Sequence, residues 1–311
     1  MLVGTELERV ERRLHGLIGS REKTLTDISR YLVDAGGKRV RPAVTLMVFR
    51  ACNGTALDDI VDVAAALELI HSASLLHDDI IDGSRLRRGR DSALSKYGLA
   101  QTLVAGDFLF SRAFQICGRF DEQLVHWAAE ACVALTEGEI MQGRFRHNAD
   151  VTLADYLEIV TRKTASLFEV GARTAAYLAD APAAQVDAMA RCGLHVGLTF
   201  QMIDDLLDVT AAETNLGKPV GSDLREGNPS LPIVLSLGDE QVRRWFASRS
   251  LAEKDAVLFL ERLRGSGAAK EGFRLAAEHA EQARAALLEL PDSAYREQLL
   301  ALIDQLLERA Y

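Results

Sequence analysis

The sequence has few of the residues that build cross-links, sheets and loops. Its 311 residues include only six prolines and four cysteines, and Cys52, Cys117, Cys132 and Cys192 form no Cys-x-x-Cys pair. Scattered cysteines are typical of small core residues in a reducing cytoplasm. The alternation of apolar and polar residues that marks strands is nearly absent. These absences exclude a disulfide-stapled secreted domain and an all-β fold.

Positive charge is also scarce. Lysine and arginine total 36 against 45 acidic residues, a net charge of −9, and no basic stripe stands out beyond Arg85–Arg90. This balance argues against a nucleic-acid partner. The first residues, Met1–Glu6, soon become charged and lack a signal-peptide core. No apolar run approaches the length of a membrane span, so we expect a cytoplasmic protein without a membrane-spanning helix.

What the chain does contain is helical periodicity. Hydrophobic residues make up 48% of it, enough for a large core, and no Pro/Gly/Ser-rich linker divides it. The sequence therefore predicts a single all-α domain over residues 1–311. Apolar residues on more than one face place the helices around 57–82, 100–146 and 184–210 at the centre of a bundle. The predicted helices cover roughly residues 5–18, 22–35, 42–52, 57–82, 100–120, 122–146, 152–180, 184–210, 231–247, 251–265, 268–289 and 292–309.

Two acidic clusters with the same spacing, Asp78-Asp79-x-x-Asp82 and Asp204-Asp205-x-x-Asp208, carry the strongest chemical signal. Residues four apart share one face of a helix, so the first and last aspartates of each cluster point the same way. Their neighbours are apolar, and an uncompensated carboxylate beside a core costs several kcal/mol. Mg²⁺ favours one or two carboxylates together with substrate phosphates. The clusters therefore predict Mg²⁺ ions that bridge a polyphosphate.

A third copy of this pattern, Asp58-Asp59-x-x-Asp62, shows that the spacing alone is not decisive. It follows a turn at Asn53-Gly54 and opens a helix, where acidic residues complement the helix dipole. No basic cluster follows it. In one continuous helix, Asp62 would lie about 30 Å from Asp82. We interpret this copy as structural.

A basic segment, Gly36-Gly37-Lys38-Arg39-Val40-Arg41-Pro42, joins two predicted helices. Pro42 suits a first helical turn, and cations beside a helix N-terminus favour a phosphate or diphosphate. The alternative is a basic, solvated loop. His71 shares the helical face of Asp78 at about 10 Å; it is either a ligand or a core histidine.

Several further residues are weak signals when each is taken alone. Arg87 and Arg88 follow the first acidic cluster, and arginine binds phosphate oxygens in a bidentate manner. Lys163 and Thr164 precede an apolar stretch, Gln201 lies one turn before the second acidic cluster, and Lys218 follows it.

Taken in order, these segments resemble the all-trans isoprenyl (polyprenyl) diphosphate synthases. The resemblance covers roughly residues 30 to 235, and several motifs in order are far more specific than any one of them. It implies an all-helical orthogonal bundle around a deep hydrophobic cavity, usually as a homodimer. The matching stretches lie at 36–42, 68–82, 87–89, 106–110, 163–164, 200–208, 217–219 and 223–227.

The resemblance also assigns roles to the matching positions. The aspartates would hold Mg²⁺ on an allylic diphosphate: Asp78, Asp82 and Asp204, and by similarity Asp79, Asp205 and Asp208. The same substrate would contact Arg87, Lys163, Thr164, Gln201 and Lys218. Isopentenyl diphosphate would contact Lys38, Arg41, His71 and Arg88. Arg39 would add to the positive electrostatic potential at the same site. The residues expected to act directly in catalysis are Asp78, Asp79, Asp82, Lys163, Asp204 and Asp205.

The implied reaction is chain elongation. The allylic C–O bond ionises as cations neutralise the leaving diphosphate, the double bond of isopentenyl diphosphate attacks, and a proton is lost. A terpene cyclase is one alternative, although it needs no isopentenyl diphosphate site. A non-catalytic subunit of a two-component synthase is another, although such a subunit should have lost aspartates.

One stretch departs from the family, which often has Glu-Gly-Lys-x-Thr-Leu-Pro. Here Asn228 replaces the lysine in Glu226-Gly227-Asn228-Pro229-Ser230-Leu231-Pro232, so one cation near the second acidic helix is missing. The change could alter diphosphate affinity or loop closure, and it removes no aspartate.

Product length is predicted from Ala73 and Ser74, one turn before the first aspartate. In the family this turn forms the upper wall of the product tunnel, where an aromatic ring would stop growth early. Small residues predict a longer product of about six to ten isoprene units. A shorter farnesyl or geranylgeranyl product remains the alternative, because Ala73 and Ser74 could instead permit close helix packing. The floor is expected lower down, among Ile116, Cys117 and Ala129, unless Phe110 or Phe114 closes the path.

Overall fold

The computed structural model describes residues 2–210 and 221–308. Within these residues the only strands are a two-residue pair, Leu86–Arg87 (β1) and Arg90–Asp91 (β2), so the all-α prediction is confirmed. The helices are Gly4–Leu17 (α1), Lys23–Val33 (α2), Val40–Ala51 (α3), Leu57–Ile81 (α4), Ala93–Tyr97 (α5), Leu99–Cys117 (α6), Glu122–Phe145 (α7), Leu153–Val160 (α8), Ser166–Leu178 (α9), Ala183–Thr210 (α10), Ser222–Glu226 (α11), Leu231–Ser236 (α12), Glu240–Phe246 (α13), Glu253–Gly265 (α14), Ala268–Leu287 (α15) and Ala294–Glu308 (α16).

Local capping chemistry explains where several helices begin. Thr152 and Asp155 form a reciprocal capping box at the start of α8. Asp239 accepts hydrogen bonds from two backbone N–H groups at the start of α13. This cap divides the single helix predicted over 231–247 into α12 and α13. The helix predicted over 152–180 is also interrupted, by a π-helical turn at Thr161–Ala165.

The chain forms two compact units. The first comprises Met1–Cys132, Leu167–Gly193 and Leu287–Leu299. At its centre, α4 packs against α1, α3 and α6. The sequence explains this central position, because α4 is apolar on more than one face and most of its residues are buried.

The second unit comprises Val133–Ser166, Leu194–Ala286 and Leu300–Tyr311. The core of its described part is built around three fully buried aromatic residues, Tyr156, Phe246 and Phe259. Helix α8 packs against α12, and α13 packs against α14. The prediction of a single domain over residues 1–311 stays a prediction.

Helix α4 also corrects the expectation that no apolar run approaches a membrane span. Among the described residues it is the one helix long and apolar enough to cross a membrane by length and composition. However, 83% of the relevant window is buried inside the structure, as in the core helix of a globular fold.

Candidate functional site

The first acidic cluster ends α4. Asp78 and Asp82 are both partly exposed, whereas Asp79 is fully buried. This difference follows from helical spacing, since residues four apart share a face and their neighbour is turned away by about 100°. Gly83, with a φ of 61°, lets the chain turn sharply after the helix. The cluster therefore presents two carboxylates outward and one inward.

The inward carboxylate, that of Asp79, forms an ion pair with an arginine. Arg87 Nε donates to Asp79 Oδ1 at 2.6 Å. Burial raises the pKa of Asp79, and the nearby Arg87 charge opposes that rise. The other carboxylate oxygen, Oδ2, is buried without a hydrogen-bond partner among residues 2–210 and 221–308. Asp79 is thus placed to position Arg87. The metal role predicted for Asp79 stays a prediction.

A tight hairpin presents the two arginines after α4. Strands β1 and β2 pair in an antiparallel register, with Arg87 opposite Arg90. Both turn residues, Arg88 and Gly89, have positive φ, at 52° and 75°. This combination is typical of two-residue hairpin turns. The hairpin therefore directs Arg87 toward Asp79 and leaves Arg88 at the turn.

Arginines converge around His71 in the first unit. Burial, followed by the positive charges of Arg41 and Arg88, lowers the pKa of His71 far enough for its imidazole to be neutral at neutral pH. A Cβ built on Gly37 would lie 3.3 Å from Arg88 Nη2 and 3.5 Å from Arg39 Nη1. The positive charges of Arg41 and Arg88 therefore act on His71, and Lys38 is exposed at the same loop. The substrate roles predicted for these four residues stay predictions.

Arg39 has a different environment from its neighbours. Its Nη1 donates to Glu68 Oε1 at 2.5 Å, its Nη2 donates to the carbonyl of Val33 at 3.1 Å, and Glu11 binds the same guanidinium. Its backbone is left-handed, with a φ of 47°. Two carboxylates compensate this cation, so the geometry favours a role in fixing the loop. The substrate role predicted for Arg39 stays a prediction. Neither Glu11 nor Glu68 stands out in the sequence as a partner of this arginine.

The second acidic cluster lies near the end of α10, in the second unit. Asp204 is partly exposed, whereas Asp205 and Asp208 are buried. Asp208 Oδ2 accepts a hydrogen bond from the backbone N–H of Asp223 at 3.2 Å. As in the first cluster, the middle aspartate is turned into the protein.

Three donors satisfy Asp205. Tyr156 Oη and the backbone N–H of Leu231 donate to Oδ2 at 2.8 and 3.0 Å, and Gln201 Nε2 donates to Oδ1 at 2.8 Å. Burial nevertheless raises the pKa of Asp205 to about 6. A carboxylate with both oxygens engaged is a poor candidate for a direct metal ligand, so the metal and catalytic roles predicted for Asp205 stay predictions. Tyr156 lies 49 residues earlier in the chain, and no local pattern pointed to it.

The predicted substrate residues Lys163 and Thr164 lie on the π-helical turn. Such turns occur often at functional sites. Thr164 Oγ1 donates to Gln201 Oε1 at 2.9 Å, and Lys163 Nζ forms an ion pair with Glu139. A Cβ built on Gly138 would lie 2.6 Å from the backbone nitrogen of Lys163, so only glycine permits this close approach. The sequence carries no local signal that marks Gly138, Glu139 or the turn itself. Lys218 lies outside the described residues.

The third copy of the acidic pattern is held by arginines. Asp62 is 5% exposed; Arg13 Nε donates to it at 2.5 Å and Arg119 binds its other oxygen. Asp58 and Asp59 lie in the first turn of α4, and Asp58 pairs with Arg9. The structural interpretation therefore agrees with this geometry, with ion pairs added to the predicted dipole effect.

The predicted product-length residues lie in the core of the first unit. Ala73 is fully buried, and Ser74 Oγ donates to the carbonyl of His71 at 2.9 Å. Of the predicted floor residues, Ile116 and Cys117 are buried and Ala129 is half-buried. The Phe110 ring lies 5.9 Å from the His77 ring and is tilted by 30° to it, whereas Phe114 is 41% exposed.

The remaining question is whether the aspartates can hold a metal. Among the described residues, no group of three or more Asp, Glu, His or Cys side chains is arranged to bind one. Mg²⁺ normally takes only one or two carboxylates and completes its shell with phosphates and water. The partly exposed Asp78, Asp82 and Asp204 fit that donor chemistry, provided that a phosphate supplies further oxygens.

Comparisons with known proteins agree with this chemistry. The family model described as polyprenyl synthetase matches residues 22–258. The all-trans-nonaprenyl-diphosphate synthase (geranyl-diphosphate specific) of Rhodobacter capsulatus is 34% identical over 99% of this chain and 96% of its own length. A short chain isoprenyl diphosphate synthase of Methanothermobacter thermautotrophicus is 36% identical over 93% of this chain and 91% of its own length.

The fold is similar to that of solved structures as well. The crystal structure of polyprenyl synthase from Caulobacter crescentus, complexed with calcium and isoprenyl diphosphate, matches with a TM-score of 0.95 and 36% identity. The match covers 100% of this chain and 96% of that one.

Proposed function

Because this chain belongs to the polyprenyl synthetase family and is a prenyltransferase, we propose that it condenses isopentenyl diphosphate with an allylic diphosphate, using Mg²⁺. The observation that carries the proposal is the convergence of Arg41 and Arg88 on a neutral His71, on the helix that ends in Asp78 and Asp82. One unit thus offers cations for a diphosphate and, on the same helix, carboxylates for a metal.

The cationic group suits isopentenyl diphosphate. Guanidinium groups bind phosphate oxygens in a bidentate manner and stay charged. A neutral imidazole can donate one further hydrogen bond without adding to the repulsion among the arginines. We assign Lys38, Arg41, His71 and Arg88 to this substrate. Arg39 is assigned to holding their loop.

The allylic diphosphate is assigned to Arg87, Lys163, Thr164, Gln201 and, outside the described residues, Lys218. Asp78, Asp82 and Asp204 would hold Mg²⁺ on it, with Asp208 as a further candidate. When bound, Mg²⁺ supplies Lewis-acid neutralisation of the leaving diphosphate. Asp79 and Asp205 would act through their neighbours, because Asp79 orients Arg87 and Asp205 orients Gln201.

The chain's own residues then have three tasks. Fixed cations stabilise charge that develops on the leaving oxygen as the allylic C–O bond breaks. Apolar surroundings keep water from the allylic cation until the isopentenyl double bond attacks it and a new C–C bond forms. The proton lost from the condensed product passes to the released diphosphate, which is the proposed base.

Product length is a finer part of the proposal. Relatives of similar identity include a nonaprenyl synthase and a short chain synthase, so the support comes from Ala73 and Ser74. Ala73→Phe is expected to shorten a product of about six to ten isoprene units, since its ring would occupy the predicted tunnel wall. Chromatography of dephosphorylated products measures this, and an unchanged length would overturn the tunnel-wall assignment.

The main experiment supplies purified protein with Mg²⁺, radiolabelled isopentenyl diphosphate and geranyl, farnesyl or geranylgeranyl diphosphate in turn. We expect a ladder that ends at one dominant prenyl alcohol after dephosphorylation. If no primer incorporates label while Mg²⁺ and diphosphate still bind, elongation is ruled out. A cyclised product from the primer alone would then identify a terpene cyclase, and no product would identify a silent subunit.

Two further assignments belong to this proposal. A homodimer is supported by large apolar side chains exposed on α6, among them Leu99 and Leu103 at 58% and 43%. A cytoplasmic location is supported by the four cysteines, which are all buried and join no disulfide within the described residues. Burial raises the pKa of Cys52 to about 11, which leaves its thiol protonated and unreactive at neutral pH.

A further inference from the structure

Two segments of the first unit carry the cations assigned to isopentenyl diphosphate. Lys38 and Arg41 lie where the loop after α2 leads into α3, and Arg88 lies at the turn between β1 and β2. The two segments meet closely, since a Cβ built on Gly37 would lie 3.3 Å from Arg88 Nη2. The placement of the β1–β2 hairpin relative to α2 therefore decides whether these cations can bind one diphosphate together.

Electrostatic repulsion opposes the position of Arg88. Burial, followed by the positive charges of Arg87 and Arg39, lowers the pKa of Arg88. The carboxylate of Glu68 opposes this shift, but it already accepts a hydrogen bond from Arg39 Nη1 at 2.5 Å. Like charges repel more strongly where water is partly excluded. The hairpin backbone must therefore hold Arg88 in place against its neighbours.

The hairpin is closed at its base by hydrogen bonds. The backbone N–H of Ser92 donates to the carbonyl of Arg85 at 2.8 Å, and Ser92 Oγ donates to the carbonyl of Ser84 at 2.5 Å. Ser95 Oγ also donates to the carbonyl of Arg85, at 3.0 Å. These bonds fix the shape of the hairpin, because they join the two ends of its chain. Its direction relative to α2 requires a separate contact.

Tyr31, near the end of α2, makes that contact. Its Oη donates to the carbonyl of Asp91 at 2.8 Å, and its own carbonyl accepts a hydrogen bond from Arg90 Nη2. The Arg90 guanidinium lies 4.3 Å from the centre of the Tyr31 ring, and the Lys96 ammonium lies 3.8 Å from it. Such cation–π contacts hold a cation without neutralising it. Tyr31 thus joins β2 and α5 to α2.

We propose that Tyr31 is a positioning residue for the binding of isopentenyl diphosphate. By fixing β2 to α2, it sets the direction in which the hairpin presents Arg88. Arg90 pairs with Arg87 across the hairpin, so a shift of β2 moves the turn residue that lies between them. The inference rests on the proposed function, because it concerns the same diphosphate site.

The alternative is that Tyr31 only stabilises the first unit. A stabilising contact changes the melting temperature and the fraction of active protein, but it leaves the diphosphate affinity of the folded protein unchanged. A positioning contact changes that affinity, and it does so only through Arg88. The test therefore measures affinity by calorimetry, with inorganic diphosphate and no Mg²⁺, because the acidic clusters then repel the probe and the cations bind it.

Tyr31→Phe removes only the hydroxyl group. It is expected to weaken diphosphate binding about fivefold, the factor equivalent to one ordinary hydrogen bond, and to raise KM for isopentenyl diphosphate more than it lowers kcat. Tyr177→Phe is the matched control, because Tyr177 Oη donates to Asp121 Oδ2 at 2.7 Å within the same unit. That control loses a hydrogen bond of the same kind and should change the affinity less than twofold.

A second background tests whether Tyr31 acts through Arg88. In Arg88→Gln, adding Tyr31→Phe should weaken binding less than twofold further, since the guanidinium that Tyr31 positions is gone. Wild-type affinity in Tyr31→Phe, or an equal loss in both backgrounds, would overturn the proposal. If Tyr31→Phe does not fold, Arg90→Lys decides, because it keeps the charge but loses the guanidinium that binds the Tyr31 carbonyl. Unchanged affinity in folded Arg90→Lys would also overturn the proposal.

The primer assay on the wild type separates this inference from the proposed function. A wild type that elongates, while Tyr31→Phe binds diphosphate normally, keeps the proposed function and loses the positioning role. A wild type that fails to elongate, while Tyr31→Phe shows the loss that depends on Arg88, keeps the positioning role and loses the proposed function.

Discussion

Asp62 and Asp82 occupy the last position in two copies of one acidic pattern, yet their surroundings differ. Asp62 is buried against Arg13 and Arg119, whereas Asp82 is partly exposed. Asp62→Asn is expected to lower the free energy of unfolding by about 2 kcal/mol, because buried arginine–carboxylate contacts weaken, and to leave kcat nearly unchanged. Asp82→Asn should lower kcat and leave the free energy of unfolding nearly unchanged. Urea unfolding and product assays on both variants measure this. Equal losses of activity in the two would contradict the assignment.

The raised pKa of Asp205 predicts that the stability of the protein depends on pH. Its pKa is 3.8 in a model peptide and about 6 in the folded chain, so between these values the folded state binds more protons than the unfolded state. Its contribution to stability is therefore present below about pH 4 and is lost as the pH rises through 6, by up to about 3 kcal/mol. The driving cause is burial of the charged form.

Asp205→Asn isolates this effect, since asparagine does not titrate. Relative to the wild type without Mg²⁺, the variant should gain stability steadily from pH 4 to pH 7. The substitution also alters the hydrogen bonds with Tyr156 and Leu231. This changes the free energy of unfolding by an amount that is nearly independent of pH. Urea titrations at each pH measure the difference, and a flat difference would show that Asp205 is already ionised at pH 4.

These residues show what the sequence could predict. Helical spacing predicted a shared face for Asp78 and Asp82, and both are partly exposed while Asp79 is buried, because such geometry depends on neighbouring residues alone. It could not give the partners of Asp205, because Tyr156 lies 49 residues before it and Leu231 lies 26 residues after it. The order of the motifs assigned all three aspartates of each cluster to one role, and it carried no information on these partners.

At the scale of elements, the contact between α7 and the π-helical turn leaves no space for a side chain at Gly138. Gly138→Ala is expected to lower the free energy of unfolding by about 1–3 kcal/mol and to reduce kcat/KM, because its Cβ would meet the backbone of Lys163 at 2.6 Å. Gly143→Ala, five residues later in α7, meets nothing within 4 Å. That control should gain up to about 1 kcal/mol from helix propensity. Unaltered activity in Gly138→Ala would show that the turn can shift freely.

Most helix positions could otherwise be predicted from the sequence, because apolar periodicity depends only on residues that are close together in the chain. Apolar periodicity gave α4 as 57–82 and α10 as 184–210, against the observed Leu57–Ile81 and Ala183–Thr210. The π-helical turn was not predictable, because one wider turn leaves the periodicity of the flanking helices almost unchanged. The residue that leaves room for the turn, Gly138, lies in a different segment.

At the scale of the whole molecule, the exposed apolar face of α6 predicts self-association. Leu99, Leu103 and Phe114 share one face by helical spacing and are 58%, 43% and 41% exposed. Most homo-oligomers are closed two-fold dimers, in which each surface residue occurs twice in the interface. One introduced charge therefore places two charges in the interface and removes two buried leucines, each worth about 2 kcal/mol.

Leu103→Glu should accordingly convert a dimer to a species of half the mass in sedimentation velocity, and its melting temperature should become independent of protein concentration. Leu288→Glu is the control, because Leu288 is even more exposed, at 64%, but lies at the end of α15 away from that stripe in the sequence. It should leave the mass unchanged. A wild-type monomer at micromolar concentration, or a mass that neither substitution alters, would contradict the assignment of this face to a second copy of the chain.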